Sequence, residues 1–433
     1  MAKNYGIKKG NYKLKKRKKR LQGEEIKNKS SFGFSKLVCG FVFIGMFIIS
    51  MIIAMFIGAD SLNEAVYSKR IMPRTRAEEL KRDYKSMAVI ETSSMRILSS
   101  YNETQKLPMA STTKIMTAIL TLEHFDDLKI KFQVPDDAVG IEGSSIYLKK
   151  GEVLTIEEYL YGLMLPSAND CAVALAIIVS GSEEKFAELM NQKARELNLK
   201  STHFVTASGL HDNDHYTTSS DLAKLTAYAM KNENFRKIVS TDKIAITGTN
   251  ANEPRHLKNK QKLMNDSELK SLGVVVDGVK SGFTPEAGRC LVTSANNGEM
   301  EVIVVVLNAP NMFESTSEIL REVFNEYKME EVLAPKKHVT NLPVINGQKD
   351  SVNLYISEGF SYPLTKEERA VIKTVYDYPS YLNSPVYKDQ QVGEVKVVLF
   401  GDVLKSIPIY SIENIEDEDI AFIFGELLKL FVK

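Results

Sequence analysis

Three separated segments carry side chains that together could perform nucleophilic catalysis. In PMASTTKIMTA (108–118), Ser111 and Lys114 stand three residues apart. A serine hydroxyl is a poor nucleophile until a neighbour removes its proton, and a lysine desolvated in a cleft can lose its own proton near neutral pH and act as that base. The stretch from Thr112 to Glu123 reads as a helix, so residues i and i+3 project from one face. Ser111 would open that helix, where its backbone N–H and the helix dipole can stabilise an oxyanion. Alone, the pair would equally suit an N-cap serine followed by a surface lysine.

The second segment is Leu165-Pro166-Ser167-Ala168-Asn169-Asp170. Thr155-Ile156-Glu157-Glu158 resembles a capping box opening a helix that Pro166 should stop, and Ala172 to Val179 resumes a helix. Ser167 and Asn169 therefore sit in a tight break between helices, placed either to converge on a cleft or simply to cap a turn. The third is Val276-Asp277-Gly278-Val279-Lys280-Ser281-Gly282-Phe283-Thr284, at the end of an apolar strand. There a lysine and two hydroxyls beside a glycine offer a backbone edge that a substrate can approach and a cation for its carboxylate. A solvated strand end would look the same. In this order and on these elements, the three segments are far more specific than any one alone.

His211-Asp212-Asn213-Asp214-His215 offers two histidines at metal-ligand spacing. Gly209 and the Asn/Asp content argue against a helix, so the spacing does not put both rings on one face, and no metal site is assigned.

These segments need a frame. SMAVIET and MRILSSYN are alternating runs around Ser93-Ser94, which predicts a hairpin. Helical patterns run on through Met230, and strands return at Gly273 to Lys280, Arg289 to Ala295 and Glu299 to Leu307, the last two joined by the turn Asn296-Asn297-Gly298. Strands at both ends enclosing helices imply an α/β unit whose terminal strands share one sheet. Beyond Glu331 only short alternating strands follow (SVNLYI, AVIKTVY, EVKVVLF), predicting a small all-β domain. Ile420 to Lys433 has apolar residues at helical spacing, as for an interfacial or a docking helix.

The formal charge of +1 hides an asymmetry, with a net +11 in residues 1–36 and about −10 in the rest. That basic head would suit nucleic acid were it not followed by Leu37 to Ala59, 23 uncharged residues, enough to cross a hydrocarbon core roughly 30 Å thick. Positive flanks stay cytoplasmic, so the chain after Asp60 is expected outside the cytoplasm and nucleic acid is not an expected partner. The apolar run exceeds a signal-peptide core and no A-x-A site follows it, so an uncleaved anchor is expected. The predicted organisation is thus a basic cytoplasmic tail (1–36), a transmembrane helix (37–59), a stalk (60–84), a catalytic domain (85–330), an all-β domain (331–412) and a C-terminal amphipathic helix (413–433). Outside the membrane segment, Cys171 and Cys290 are expected as buried free thiols.

Ser-x-x-Lys, Ser-x-Asn and Lys-Thr/Ser-Gly, with the connecting stretches GSSIYLKKGE, MLPSANDCAVALA and DGVKSGFTPEAGRCLVTSA, resemble the low-molecular-weight penicillin-binding proteins that are D-alanyl-D-alanine carboxypeptidases. The resemblance runs from about Tyr84 to Asn308 and continues more weakly beyond. It implies a transpeptidase fold shared with serine β-lactamases, an antiparallel sheet flanked by helices, followed by a small all-β sandwich. It also implies a penicillin-sensitive serine peptidase that removes the terminal D-alanine of peptidoglycan stem pentapeptides without metal or cofactor. By resemblance, Ser111 is the acylated nucleophile, Lys114 its general base, and Ser167 and Asn169 carry protons and orient Lys114 and substrate. Lys280, Ser281 and Thr284 would bind the substrate's terminal carboxylate, Gly282 and Phe283 would belong to the same substrate-binding stretch, and the N–H groups of Ser111 and Phe283 would form the oxyanion hole. β-Lactams would be covalent inhibitors, and the membrane a partner.

Ser281 departs from the commoner threonine but keeps the hydroxyl, and Ala168 stands where glycine is frequent. Relatives usually combine a cleaved signal with a C-terminal anchor, which leaves processing here open. A serine β-lactamase and a non-catalytic wall-binding protein are the alternatives. The first would need a deacylating glutamate loop that has no counterpart after the second motif, and intact Ser111, Lys114, Ser167, Asn169 and Lys280 disfavour the second.

Overall fold

The structure, a computed structural model, describes residues 83–248, 250 and 253–431. The expected basic head, the membrane span at 37–59 and all but the last two residues of the stalk lie outside the described residues. Among those described, no helix is long and apolar enough to cross a membrane. The chain enters at β1 (Ser86–Glu91) and returns as β2 (Ile97–Tyr101), the hairpin expected around Ser93-Ser94. Glu91 holds its turn by accepting from the N–H and hydroxyl groups of both serines.

Helix α1 (Lys114–His124) is followed by the small hairpin β3 (Lys131–Gln133) and β4 (Val153–Thr155). Then come α2 (Ile156–Met164), α3 (Asn169–Ser180), α4 (Glu183–Glu196), α5 (Ser219–Ala229) and α6 (Glu233–Val239). The capping box read from Thr155 and Glu158 is present at the start of α2, a motif whose loss costs about 1 kcal/mol. A second hairpin, β5 (Lys243–Ile246) and β6 (Arg255–Lys258), and the short α7 (Ser267–Ser271) lead into β7 (Val275–Thr284), β8 (Gly288–Asn296) and β9 (Glu301–Leu307). Helix α8 (Met312–Glu326) closes the unit.

The sheet order is β2-β1-β9-β8-β7, with every neighbour antiparallel, so the first and last strands of the unit meet as expected. Its alternation explains why EVIVVVL is apolar throughout. Ile303, Val305 and Leu307 face the core shared with α1 to α6, while Val302, Val304 and Val306 face the core under α8. A strand covered on both faces needs apolar residues at both parities, and each buried valine contributes about 1.5–3 kcal/mol. Charging Val304 would break this centre.

Some boundaries move. The strand expected to end at Lys280 continues to Thr284, because Lys280 through Thr284 all pair with β8. The α3 helix starts at Asn169, three residues before the expected Ala172. Helix α1 starts at Lys114, two residues after the expected Thr112, because Ala110–Thr113 form a 3-10 turn. The β5–β6 hairpin was not anticipated. Cys171 and Cys290 are buried free thiols.

At β10 (Lys328–Leu333) the chain leaves the five-stranded sheet, and β10 pairs instead with a later strand, Phe360–Leu364. The remaining strands are β11 (His338–Ile345), β12 (Ser351–Ile356), β13 (Phe360–Leu364), β14 (Lys373–Asp377), β15 (Leu382–Asn383), β16 (Gln391–Leu399) and β17 (Asp402–Ser411). They form a two-stranded and a six-stranded sheet around a shared core that includes Leu333, Leu354, Val397 and Ile409. One helical turn, α9 (Lys366–Arg369), interrupts the all-β pattern, held by a capping box at Thr365. Helix α10 (Ile420–Phe431) ends the described chain.

Candidate active site

The turn Ala110–Thr113 presents Ser111 at the head of α1. Thr112 and Thr113 tie it back on itself, their hydroxyls donating to the carbonyls of Met109 (2.6 Å) and Ala110 (2.8 Å). Ala110 adopts φ +48, and Gly209, at φ +81, lets a second segment press against it. A Cβ at Gly209 would lie 2.0 Å from the Ala110 oxygen, so no other residue fits there unshifted.

Lys114 is fully buried, and its Nζ has three neighbours at hydrogen-bond distance: Ser111 Oγ (2.9 Å), Asn169 Oδ1 (2.8 Å) and the Ser208 carbonyl (2.7 Å). Asn169 is oriented by its Nδ2 donating to the Glu142 carbonyl at 2.7 Å, so Oδ1 faces the amine. Asn169 Oδ1 and the Ser208 oxygen can only accept. A neutral amine has two N–H groups and one lone pair, so two donations to these oxygens leave the lone pair aimed at Ser111. Burial, reinforced by the charge of Lys260, lowers the Lys114 pKa to about 7. Among the described residues it has no ion-pair partner, and the more distant charge of Asp170 only partly offsets the effect of burial.

Pro166 ends α2 as expected, and Ser167 turns the chain with φ +70, a left-handed conformation that serine seldom takes. Ser167 is buried beside Ser111 without hydrogen-bonding to it or to Lys114. Asp170 braces the approach, accepting from Ser145 Oγ (2.5 Å) and from the N–H groups of Ile146 (3.3 Å) and Leu148 (3.0 Å).

Strand β7 is an edge strand, and its residues 280–284 run past the Ser111 turn. Gly282 allows that approach, since a Cβ there would lie 2.8 Å from Ser111 N and 3.2 Å from Thr112 N. Lys280 is buried and donates to the Ser281 carbonyl at 2.9 Å. Burial and the nearby amines of Lys114 and Lys260 push its pKa well below the usual lysine range.

A cleft of about 460 Å³ opens over these groups, bordered by Ser111, Ser167, Ser281, Gly282 and Phe283. Lys258, Lys260, Lys262 and Arg289 also line it, and no acidic side chain does. Such a cleft favours an anionic ligand.

The structure thus brings Ser111, Lys114, Ser167, Asn169, Lys280, Ser281, Gly282 and Phe283 into one neighbourhood. Thr284 stands apart, outside the cleft lining, with its hydroxyl accepting from the Ala287 N–H at 3.1 Å. Sequence reasoning missed the Ser208 carbonyl, which no side-chain pattern announces. No motif in the sequence singles out Lys260 either, which lines the cleft, donates to Ser144 Oγ at 3.0 Å and has its pKa lowered by burial.

The chain is also similar to known proteins. Residues 74–311 match the family described as D-alanyl-D-alanine carboxypeptidase, and residues 327–417 match the penicillin-binding protein 5 C-terminal domain. The carboxypeptidase DacF of Bacillus subtilis is 33% identical over 79% of this chain and 88% of its own. DacC of Escherichia coli is 30% identical over 77% of this chain and 85% of its own. Among solved structures, penicillin binding protein 5 from Haemophilus influenzae superposes with a TM-score of 0.64 at 25% identity, covering 78% of this chain and 98% of that one.

Proposed function

The chain belongs to the D-alanyl-D-alanine carboxypeptidase family, and from that premise we propose how its own residues carry the reaction. The enzyme is a serine-type D-Ala-D-Ala carboxypeptidase acting on peptidoglycan stem pentapeptides, with penicillin as a covalent inhibitor. The observation that carries the mechanism is the buried Lys114 amine, 2.9 Å from Ser111 Oγ and lacking a counter-ion.

Ser111 Oγ attacks the carbonyl carbon of the penultimate D-alanine while the Lys114 lone pair takes the hydroxyl proton. The negative charge that forms on the carbonyl oxygen is met by the N–H groups of Ser111 and Phe283, a pairing supported by the close approach of β7 at Gly282. Collapse expels the terminal D-alanine, whose amine receives the proton from Lys114 with Ser167 at the side of the cleft to relay it. Asn169 and the Ser208 carbonyl hold the amine throughout. Water then attacks the acyl-enzyme, Lys114 again taking a proton, and Ser111 is freed.

The substrate's terminal carboxylate is bound by Lys280 with Ser281 and Thr284. The anion supplies the counter-charge that buried Lys280 lacks, which raises its pKa and makes binding stronger than at an exposed lysine. The Thr284 hydroxyl also accepts from the Ala287 N–H, so its share in carboxylate binding uses its free hydrogen.

The same reading keeps 85–330 as the catalytic unit and 331–412 as the β unit, supported by the change of strand partner at β10. It also keeps residues 37–59 as a membrane anchor with the head cytoplasmic and the catalytic unit outside, supported by the uncharged run and its basic flank. Protease added to intact cells should digest the catalytic unit and spare an epitope placed in residues 1–36.

Full-length protein in detergent should release D-alanine from a stem pentapeptide and bind fluorescent penicillin covalently, and Ser111→Ala should lose both. Penicillin labelling without D-alanine release would point to a non-catalytic wall-binding protein. Rapid penicillin turnover would point to a β-lactamase.

A further inference from the structure

His215 belongs to the one metal-like motif of the sequence, and its surroundings give the ring a different task. It is buried at 2% exposure, whereas His211 is exposed. Its Nδ1 accepts from the N–H groups of Val205 (3.0 Å) and Thr206 (3.3 Å), so that nitrogen carries no proton. The proton is therefore on Nε2, which lies 2.7 Å from Thr113 Oγ1. Thr113 spends its own hydrogen on the Ala110 carbonyl at 2.8 Å, so the hydroxyl must accept from the imidazole. The chain of donors runs His215 to Thr113 to Ala110, and it ends on the strained residue immediately before Ser111.

The ring's other side holds the segment 205–210. That segment provides the Ser208 carbonyl to Lys114 and the Ala207 carbonyl to Thr117 of α1, and its Gly209 packs on the Ala110 carbonyl. Phe204 meets the imidazole edge-on, 5.8 Å between ring centres, and limits its rotation. One neutral imidazole thus bridges the turn that carries the nucleophile and the loop that holds the base.

We propose that His215 is a positioning residue for acylation, fixing Lys114 Nζ relative to Ser111 Oγ through Thr113 on one side and the 205–208 backbone on the other. The proposal rests on the assignment of Ser111 and Lys114 as nucleophile and base. His215 touches neither substrate nor the reacting atoms. A displacement of about 1 Å in such a pair costs on the order of a hundredfold in rate.

The test measures both the penicillin acylation rate constant at saturation and the dissociation constant of the preceding non-covalent complex, alongside the melting temperature. Variants of full-length protein are His215→Asn, which keeps an acceptor at the Nδ1 position but loses the donor to Thr113, Thr113→Val, which loses the hydroxyl, and Thr113→Ser, which keeps it. Acylation should slow at least about tenfold in His215→Asn and in Thr113→Val, and the double variant should be little slower than either single one, because both break one chain. Thr113→Ser should retain the rate to within about twofold, and the non-covalent dissociation constant should move less than about twofold in all of them. Should His215→Asn fail to fold, the Thr113→Val and Thr113→Ser pair decides. Wild-type acylation rates in variants whose melting temperatures fall would reduce His215 to a structural role and overturn the proposal, as would losses that multiply in the double variant. A wild-type protein that penicillin does not label at Ser111 would instead overturn the underlying assignment.

Discussion

Replacing Asn169 by aspartate changes one atom's chemistry and almost no volume, and it strikes the feature on which the mechanism depends. The wild-type amide oxygen is a neutral acceptor 2.8 Å from Lys114 Nζ. A carboxylate there faces an amine that forms no ion pair in the wild type and feels Asp170 only at longer range. With an effective dielectric of about 20, two unit charges at 2.8 Å attract by about 6 kcal/mol, an upper bound of about 4 pKa units. Desolvation of the new carboxylate takes back part of this, and an opposite charge at such range typically raises a lysine by about 1–3 units. Starting from about 7, a rise of about 2 units leaves roughly 1% of Lys114 neutral at pH 7 in place of half, so acylation at that pH should fall about fiftyfold. The assay is the acylation rate constant for fluorescent penicillin from pH 5.5 to 10. Loss of the Nδ2 bond to Glu142 will lower the whole curve, so the position of its rising limb is the readout. A limb that moves up by one unit or more agrees with a neutral Lys114 acting as base. A limb that stays at the wild-type pH refutes it.

Gly282→Ala should press a methyl against the backbone nitrogens of Ser111 and Thr112, both within 3.2 Å of the new Cβ. Such overpacking costs about 1–3 kcal/mol of stability, but the acylation rate should fall about a hundredfold because the oxyanion donors move; calorimetry together with penicillin kinetics checks both. His215 gives a pH signature of stability: burial holds its pKa at about 4, below the ordinary 6.5. The fold therefore refuses a proton that the unfolded chain accepts, so this contribution is complete above pH 6.5 and is lost as pH falls toward 4, by at most about 3 kcal/mol. Urea unfolding at pH 7 and pH 4.5 should show a smaller loss for His215→Gln than for wild type.

The parts of the fold that were legible are those where a local pattern coincides with the final environment. The Thr155/Glu158 capping box, the stop at Pro166, the Ser93-Ser94 hairpin and the Asn297-Gly298 turn each satisfy backbone groups within a few residues, so nothing distant could override them. The end of β7 was misread because Lys280 and Ser281 look like solvated residues. They pair with β8 at the open edge of the sheet, and burial of Lys280 is a tertiary fact. The 3-10 turn at Ser111 was similarly invisible: Thr112 and Thr113 close it locally, but the segment at Gly209 that packs on it lies about a hundred residues away in sequence. At the site, side-chain motifs marked Ser111, Lys114, Ser167, Asn169 and Lys280 as candidates. The Ser208 carbonyl and the His215–Thr113 bond are products of chain crossing, and no local spacing encodes them.

The most direct measurement is the titration of Lys114 itself, by ¹³C-detected NMR of the ε-carbon in unacylated protein, with Lys114→Met identifying the resonance. A midpoint near pH 7, shifted in Asn169→Asp, is the predicted result. A lysine that stays protonated beyond pH 9 would contradict the account, because the lone pair assigned to the Ser111 hydroxyl would not exist at physiological pH.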